Sequence, residues 1–188
     1  MDARTKGRAQ LLGLALVFLG PLALAFWLYY GSSWRPMDQA VHGELISPPL
    51  ALPDTPLTPD GQVRLRDVWS LILVMPADCG EDCRKALYAT RQLRAALGRD
   101  RDRVQRVWIV ENGTPDFDFL LAEHPDLLTV DSKASAGADL ISRFNRRSEV
   151  DIFVVDPLGN LMMRFPPDLS MRDMHTDLKR LLKLSNIG

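Results

Sequence analysis

The sequence predicts an α/β fold, a mixed but mostly parallel sheet flanked by helices, carried behind one N-terminal transmembrane helix. Three observations lead there. The N-terminus holds an uncharged apolar run, two short continuous apolar runs are separated by a stretch of helical periodicity, and a late pair of strand-like runs is joined by a tight turn.

The first run, Leu11 to Tyr30, reads LLGLALVFLGPLALAFWLYY. At about 1.5 Å of rise per residue such a helix covers roughly the 30 Å hydrocarbon core of a bilayer. Pro21 stands near its middle, where membranes tolerate it. Trp27, Tyr29, Tyr30 and Trp34 gather at its C-terminal end, the place for an aromatic belt. Arg4, Lys6 and Arg8 precede the run and only Arg35 follows closely, so the positive-inside rule predicts a cytoplasmic N-terminus. The expected setting is a single-pass protein of the inner (cytoplasmic) membrane with a periplasmic domain. A cleaved signal peptide is the alternative, since Ala23-Leu24-Ala25 offers small residues at the right spacing. Cleavage there would leave the apolar Phe26–Tyr30 as a new N-terminus, which favours an uncleaved anchor. With no cysteine near the run, lipoprotein processing is excluded.

Residues 1–10 are thus expected to be cytoplasmic, 11–30 to span the membrane, 31–60 to form a tether and 61–188 to form the domain. The tether assignment rests on Pro36, Pro48, Pro49, Pro53, Pro56 and Pro59, a density that forbids a helix and suits an extended segment draped over a domain edge. Val63-Arg64-Leu65, after an Asp60-Gly61 turn, reads as a short strand. Trp69 to Met75 (WSLILVM) is the nearly continuous apolar run of a central strand buried on both faces, and Pro76 ends it. From Cys79 the spacing of Cys83, Ala86, Leu87, Thr90, Leu93 and Leu97 is helical, and Gly98 closes the helix. The charged RDRDR that follows is a solvated corner, and Val104 to Val110 (VQRVWIV) is a second buried strand.

Thr114 before Pro115 reads as an N-cap with proline at the first helical position. The helix it opens should turn Phe117, Leu120 and Leu121 inward and end near His124-Pro125. A strand at Leu127–Val130, a helix over about 136–146 and a strand at Val150–Val155 follow. The turn Asp156-Pro157-Leu158-Gly159-Asn160 leads to a returning strand at Leu161–Phe165, and Asp168–Leu184 is a final amphipathic helix. Strands alternating with helices make a mostly parallel sheet, and the late hairpin adds an antiparallel edge. This order of elements is thioredoxin-like.

Net charge is −1 and aromatic residues make up 7% of the chain, so nothing favours a nucleic-acid partner. Three of the 23 basic residues and one of the 24 acidic ones precede residue 35, which leaves a mildly acidic domain without a basic stripe. No nucleophile elbow, phosphate-binding glycine loop or carboxylate cluster with metal-ligand spacing is present in the sequence.

The two cysteines, Cys79 and Cys83, are the candidate functional residues. A pair four residues apart closes almost no loop, so a bond between them removes little entropy from the unfolded chain and is better read as chemistry than as a staple. On a helix the two share one face, with β-carbons about 5 to 6 Å apart. The α-carbon spacing of such a pair also lies within the range a disulfide accepts. Two chemistries follow: cycling between dithiol and disulfide, or two thiolates binding a soft metal such as Cu(I). The positive end of the helix favours a thiolate, while Asp78, Glu81 and Asp82 oppose it, which predicts a weaker nucleophile than a thioredoxin-type pair. The bland alternative, two inert core cysteines on one helix face, sits poorly with their position directly after a buried strand.

The strand LILVMPADCGEDC with its CxxxC spacing, the hairpin FVVDPLGNLMMRF and the tether together resemble the Sco/SenC family over roughly residues 43–185. That family comprises membrane-tethered, thioredoxin-like proteins of cytochrome c oxidase assembly. The resemblance implies a role in maturing the oxidase's binuclear copper centre, by handling copper or by reducing the cysteines of the target. It implies cytochrome c oxidase subunit II or another assembly factor as partner and copper as cofactor. In the family a histidine about nine residues before the turn proline completes a Cys-Cys-His copper site. Counting back from Pro157 reaches Ser148, with no histidine nearby, and Gly80 replaces the usual proline after the first cysteine. The proline that a thioredoxin oxidoreductase places just before the strand at Val150 is absent as well.

His42 lies in the tether and is expected to be poorly held, His124 to cap carbonyls at a helix end and His175 to ride the last helix. Each is read as a surface or capping residue rather than a metal ligand, and Met162 and Met163 as core. The leading expectation is a Sco-like accessory protein acting through Cys79 and Cys83 by thiol–disulfide exchange or transient Cu(I) handling. A general envelope thiol reductase of the TlpA type and a non-catalytic scaffold in the oxidase complex are the alternatives.

Overall fold

The protein, described from a computed structural model that covers residues 3–31, 41–133, 137–185 and 187, divides into two units, Met1–Ala40 and Val41–Gly188. The first contains helix α1, Ala3–Gly31, which continues through Pro21. Its segment Gly13–Gly31 is long and apolar enough to cross a membrane, and Leu16, Phe18 and Tyr29 on it are exposed rather than packed in protein. Trp34 and Arg35, assigned above to the membrane boundary, lie outside the described residues.

The second unit is built on six strands: β1 (Glu44–Ala51), β2 (Trp69–Met75), β3 (Val104–Val110), β4 (Leu127–Asp131), β5 (Ile152–Val155) and β6 (Asn160–Phe165). They lie in the order β1-β6-β5-β2-β3-β4. β2, β3 and β4 run parallel, and β5, β6 and β1 add antiparallel pairs on the other side of β2. Every residue of β2 is buried, as the unbroken apolar run required.

Side-chain alternation splits the core into two layers. Trp69, Leu71, Leu73 and Met75 face one way, against helices α2 (Glu81–Ala96) and α5 (Met171–Leu184), through Leu87, Leu93, Leu178 and Leu182. Ile72 and Val74 face the other way, against Leu140 of α4 (Gly137–Arg143) and Phe144 after it. Helix α3, Phe117–Glu123, adds Leu120 to the first layer.

Several expectations are corrected. Val63-Arg64-Leu65 is not a strand. Val63 and Leu65 instead join Leu52 and Leu57 as a loop cover over the second layer, with the Leu57 amide donating to the Val63 carbonyl at 2.8 Å. Within the proline-rich 31–60 segment, Glu44–Ala51 is extended, as expected of a stretch draped over a domain edge, and pairs with β6 as an edge strand. Its register breaks between Leu45 and Leu50, across Pro48 and Pro49, which lack the N–H that a ladder needs. Helix α3 starts later than Thr114-Pro115 suggested, since the Asp116 carboxylate accepts from the Phe119 amide at 3.0 Å and caps it. Of the three side chains expected inward only Leu120 is buried, while Phe117 is 53% and Leu121 73% exposed, because a helix this short turns only one stripe to the core. The predicted helix over 136–146 is Gly137–Arg143, and residue 136 lies outside the described set.

Candidate functional site

The site forms where β2 and β3 end. Met75 closes β2, and its carbonyl accepts from the Glu111 amide and from the indole of Trp108, both at 3.1 Å. Pro76 then turns the chain outward, and the Ala77 amide donates to the Asn112 carbonyl at 2.8 Å. The β3 exit loop presses close here. Gly113 has φ +82° and a β-carbon on it would stand 3.0 Å from that of Ala77, so this corner requires glycine twice over.

Cys79 and Cys83 are joined as a disulfide with α-carbons 5.2 Å apart. Gly80 is the N-cap of α2 in extended conformation, with open space above its α-carbon, so Cys79 precedes the helix and Cys83 lies in its first turn, and the two do not share a helix face as their spacing suggested. Cys83 is 8% exposed and belongs to the first core layer, while Cys79 is half-buried and packs at its edge. Glu81 and Asp82 flank the pair in the first turn, both exposed and both paired with Lys85, at 2.7 and 3.4 Å. That pairing offsets part of the acidity the sequence set against a thiolate.

A cleft of about 260 Å³ opens beside the pair, lined by Met75, Pro76, Asp78, Gly80, Glu81, Asp82, Cys83, Glu149 and Val150. The last two come from the loop 145–150, which contains Ser148, the position where the family resemblance led one to seek a histidine. That loop is firmly held. Arg146 makes two bonds to the Glu111 carboxylate, at 2.7 and 2.9 Å, and the Asp151 carboxylate accepts the amides of Arg147 at 2.8 Å and Ser148 at 3.0 Å. Buried Asp151 is in turn paired with Arg164 at 2.9 Å.

None of the three histidines lines this cleft. His42 is not loosely held, as its tether position suggested. Its Nδ1 lies 2.9 Å from Asp177 of α5, and the His42 and Gly43 amides both donate to the other Asp177 oxygen at 2.8 Å. The hydrogen bond with Asp177 raises the imidazole pKa above its ordinary value. His124 is the C-cap of α3, as expected, its amide donating to the Leu120 carbonyl at 2.7 Å, but its ring is buried rather than at the surface, with Nδ1 3.4 Å from the Arg106 guanidinium and the ring edge-on to Phe119. Burial, then the Arg106 and Arg91 charges, push its pKa down. His175 lies 3.3 Å from the Ala96 carbonyl, at the end of α2 away from the cysteines. Met163 is core and Met162 half-buried against it, as expected. A copper site built like Cys-Cys-His does not fit these residues. Around the two sulfurs the cleft offers carboxylates, hard oxygens ill suited to Cu(I), and Met75, whose side chain is packed in the core, and no group of three or more His, Cys, Asp or Glu placed to hold a metal is present among the described residues.

Among the charged residues that escaped the sequence reading are Arg106 and Arg84. Arg106 sits within the apolar run of β3 with its side chain 1% exposed, bonded to Asp126 at 2.9 Å, Thr90 at 3.1 Å and the Leu87 carbonyl at 2.8 Å, and burial lowers its pKa to about 10. The signal for it was a lone cation at the inward parity of Val104 and Trp108. Arg84 follows Cys83 directly, and its Nε donates to the Cys79 carbonyl at 3.3 Å while the guanidinium lies over the Phe119 ring, 5.6 Å from its centre.

The sheet order, the cysteine pair at the start of α2 and the apolar N-terminal helix define a thioredoxin-like protein with a helix long and apolar enough to cross a membrane. The chain belongs to the family described as transmembrane-like, thioredoxin-like: the model of its C-terminal domain matches residues 69–185, and that of the transmembrane-like N-terminal domain matches residues 2–32. No curated protein matches significantly. Among solved structures, the chain is similar to apo Sco1 from Thermus thermophilus at 19% identity and TM-score 0.56, over 77% of this chain and 96% of that one. Yeast Sco1 with copper bound is similar at 13% identity and TM-score 0.55, over 63% and 80%. A thio-disulfide isomerase from Thermus thermophilus is similar at 18% and 0.50, over 76% and 99%. At these identities the likeness shows a shared fold, common to copper-bound and disulfide-handling proteins alike.

Proposed function

We propose that this protein is a membrane-anchored, Sco-like accessory factor of cytochrome c oxidase assembly that works by thiol–disulfide exchange through Cys79 and Cys83, with its domain in the periplasm. The observation that carries the exchange chemistry is the disulfide itself, set beside an open cleft at the end of the central strand. The better-exposed Cys79 and the core-packed Cys83 fit the roles of attacking and resolving sulfur. In the reduced protein the Cys79 thiolate attacks a sulfur of the client disulfide, that bond breaks, and a client thiolate leaves. Cys83 loses its proton and attacks the Cys79 sulfur of the mixed disulfide, which releases the second client thiolate and forms the Cys79–Cys83 bond. Two electrons pass to the client, its thiolates take protons from solvent, and a dithiol partner reduces the pair again.

The oxidase-assembly role is supported by the CxxxC spacing and by the fold shared with Sco proteins. In this reading copper, if handled, is cargo passing over two thiolates as Cu(I).

Cells carrying Cys79→Ser or Cys83→Ser in the full-length protein are expected to lose most copper-dependent oxidase activity, while the variant protein stays at wild-type level in membranes. Unchanged oxidase activity would leave only a scaffold. A general loss of cytochrome c instead would move the assignment to an envelope reductase. Purified full-length protein in detergent is further expected to take up Cu(I) only when reduced, and not to retain Cu(II) on dialysis. Tight 1:1 Cu(II) retention would demand a histidine that this site lacks.

A further inference from the structure

Arg84 is a cation bonded, among the described residues, to the backbone of the cysteine pair itself. Side chains on a helix lean back toward its N-terminus, and Arg84 does so across its own turn to reach the carbonyl of Cys79, the residue before the N-cap. One further contact restrains it. Its guanidinium lies over Phe119, and Phe119 is half-buried against the first core layer and abuts the ring of buried His124. Lys85, the next cation along, is engaged by Glu81 and Asp82, whereas Arg84 forms no ion pair among the described residues. It is bonded instead to Cys79, the less buried of the two cysteines. A carbonyl and a sulfur of one residue lie well inside the ~8 Å over which charges interact at physiological ionic strength.

We propose that Arg84 is a positioning residue that makes Cys79 the attacking sulfur, by holding a cation where the Cys79 thiolate forms, and that it sets how oxidising the pair is. This rests on the exchange reading above. A cation there stabilises the reduced form, which makes the disulfide easier to reduce. Cys83, buried in the first core layer, is left as the resolving sulfur.

The test equilibrates the full-length protein, in detergent micelles, with reduced and oxidised glutathione at fixed pH and reads the disulfide fraction by alkylation and mass spectrometry. Arg84→Met is expected to shift the equilibrium about threefold toward the disulfide, and Arg84→Lys to stay near wild type. Raising the salt concentration should carry the wild type toward the Met variant, an effect that a purely structural role would not produce. In single-cysteine proteins, Cys83→Ser should attack an aromatic disulfide faster than Cys79→Ser, and Arg84→Met should narrow that gap. A Met variant equal to wild type, or a Lys variant equal to Met, overturns the assignment while leaving exchange intact. Should Arg84→Met fail to fold, a salt-insensitive wild-type equilibrium overturns it alone. A wild-type protein that does not exchange with glutathione sinks the exchange reading together with this one.

Discussion

His42 and His124 answer to pH in opposite directions, and the reason lies in what faces each ring. His42 is drawn to the Asp177 and Asp173 carboxylates, so its folded pKa lies above the ordinary 6.5. Its contribution to stability is fully present below that value and is lost as pH rises through the raised one. His124 is buried against Arg106, with Arg91 near, so its folded pKa lies below 6.5. The unfolded chain then takes up a proton that the folded one refuses, and stability falls as pH drops below 6.5. Urea unfolding of the full chain between about pH 5 and pH 8 tests both. His124→Gln should flatten the acid limb and His42→Asn the opposing trend, and identical profiles for the two variants would refute the assignment.

At the scale of elements, α5 and α3 depend on different things. Helix α5 is long, with Leu178 fully buried and Leu182 nearly so against the first layer, so Leu178→Ala should cost about 3 kcal/mol. Helix α3 is short and buries one side chain, so its start rests on the Asp116 cap, and Asp116→Ala should cost about 1 kcal/mol. The same α3 carries Phe119, the platform beneath Arg84, so the cap variant should also weaken the Arg84 effect on the glutathione equilibrium. Chemical denaturation read beside that equilibrium measures both. A cap variant that lost stability without changing the equilibrium would separate α3 from the site.

These elements also show what patterning revealed and where it stopped. The β2 run and the helical spacing after Cys79 were plain because both faces of β2 are buried and α2 has one apolar stripe. The edge strand Glu44–Ala51 was hidden because its residues are mostly exposed and prolines break its ladder, which leaves no alternation to read. Val63 and Leu65 alternate like a strand, yet they are buried by lying over a sheet face rather than by pairing in it. Of the site, the cysteine pair was legible, but not as two residues on one helix face, since Cys79 stands before the Gly80 N-cap and only Cys83 lies in α2. The clamp on loop 145–150 was not, since it joins Glu111 to Arg146, residues remote in sequence and close only when β3 ends beside that loop.

At the scale of the whole molecule, the proposed orientation rests on the basic residues before an apolar helix. A reporter enzyme that is active only outside the cytoplasm, fused after Gly188, should be active, and one that is active only inside should not. The reverse pattern would place the cysteine pair in the reducing cytoplasm and remove the setting in which a disulfide persists.

What the sequence by itself determined is whatever depends on neighbours along the chain: an apolar helix of membrane length, a buried central strand, and two cysteines four residues apart. The tertiary structure alone decided which charges meet that pair and which histidines do not. Those contacts are made across the sheet, between residues whose separation in sequence carries no periodic signal, and only packing sets their distance.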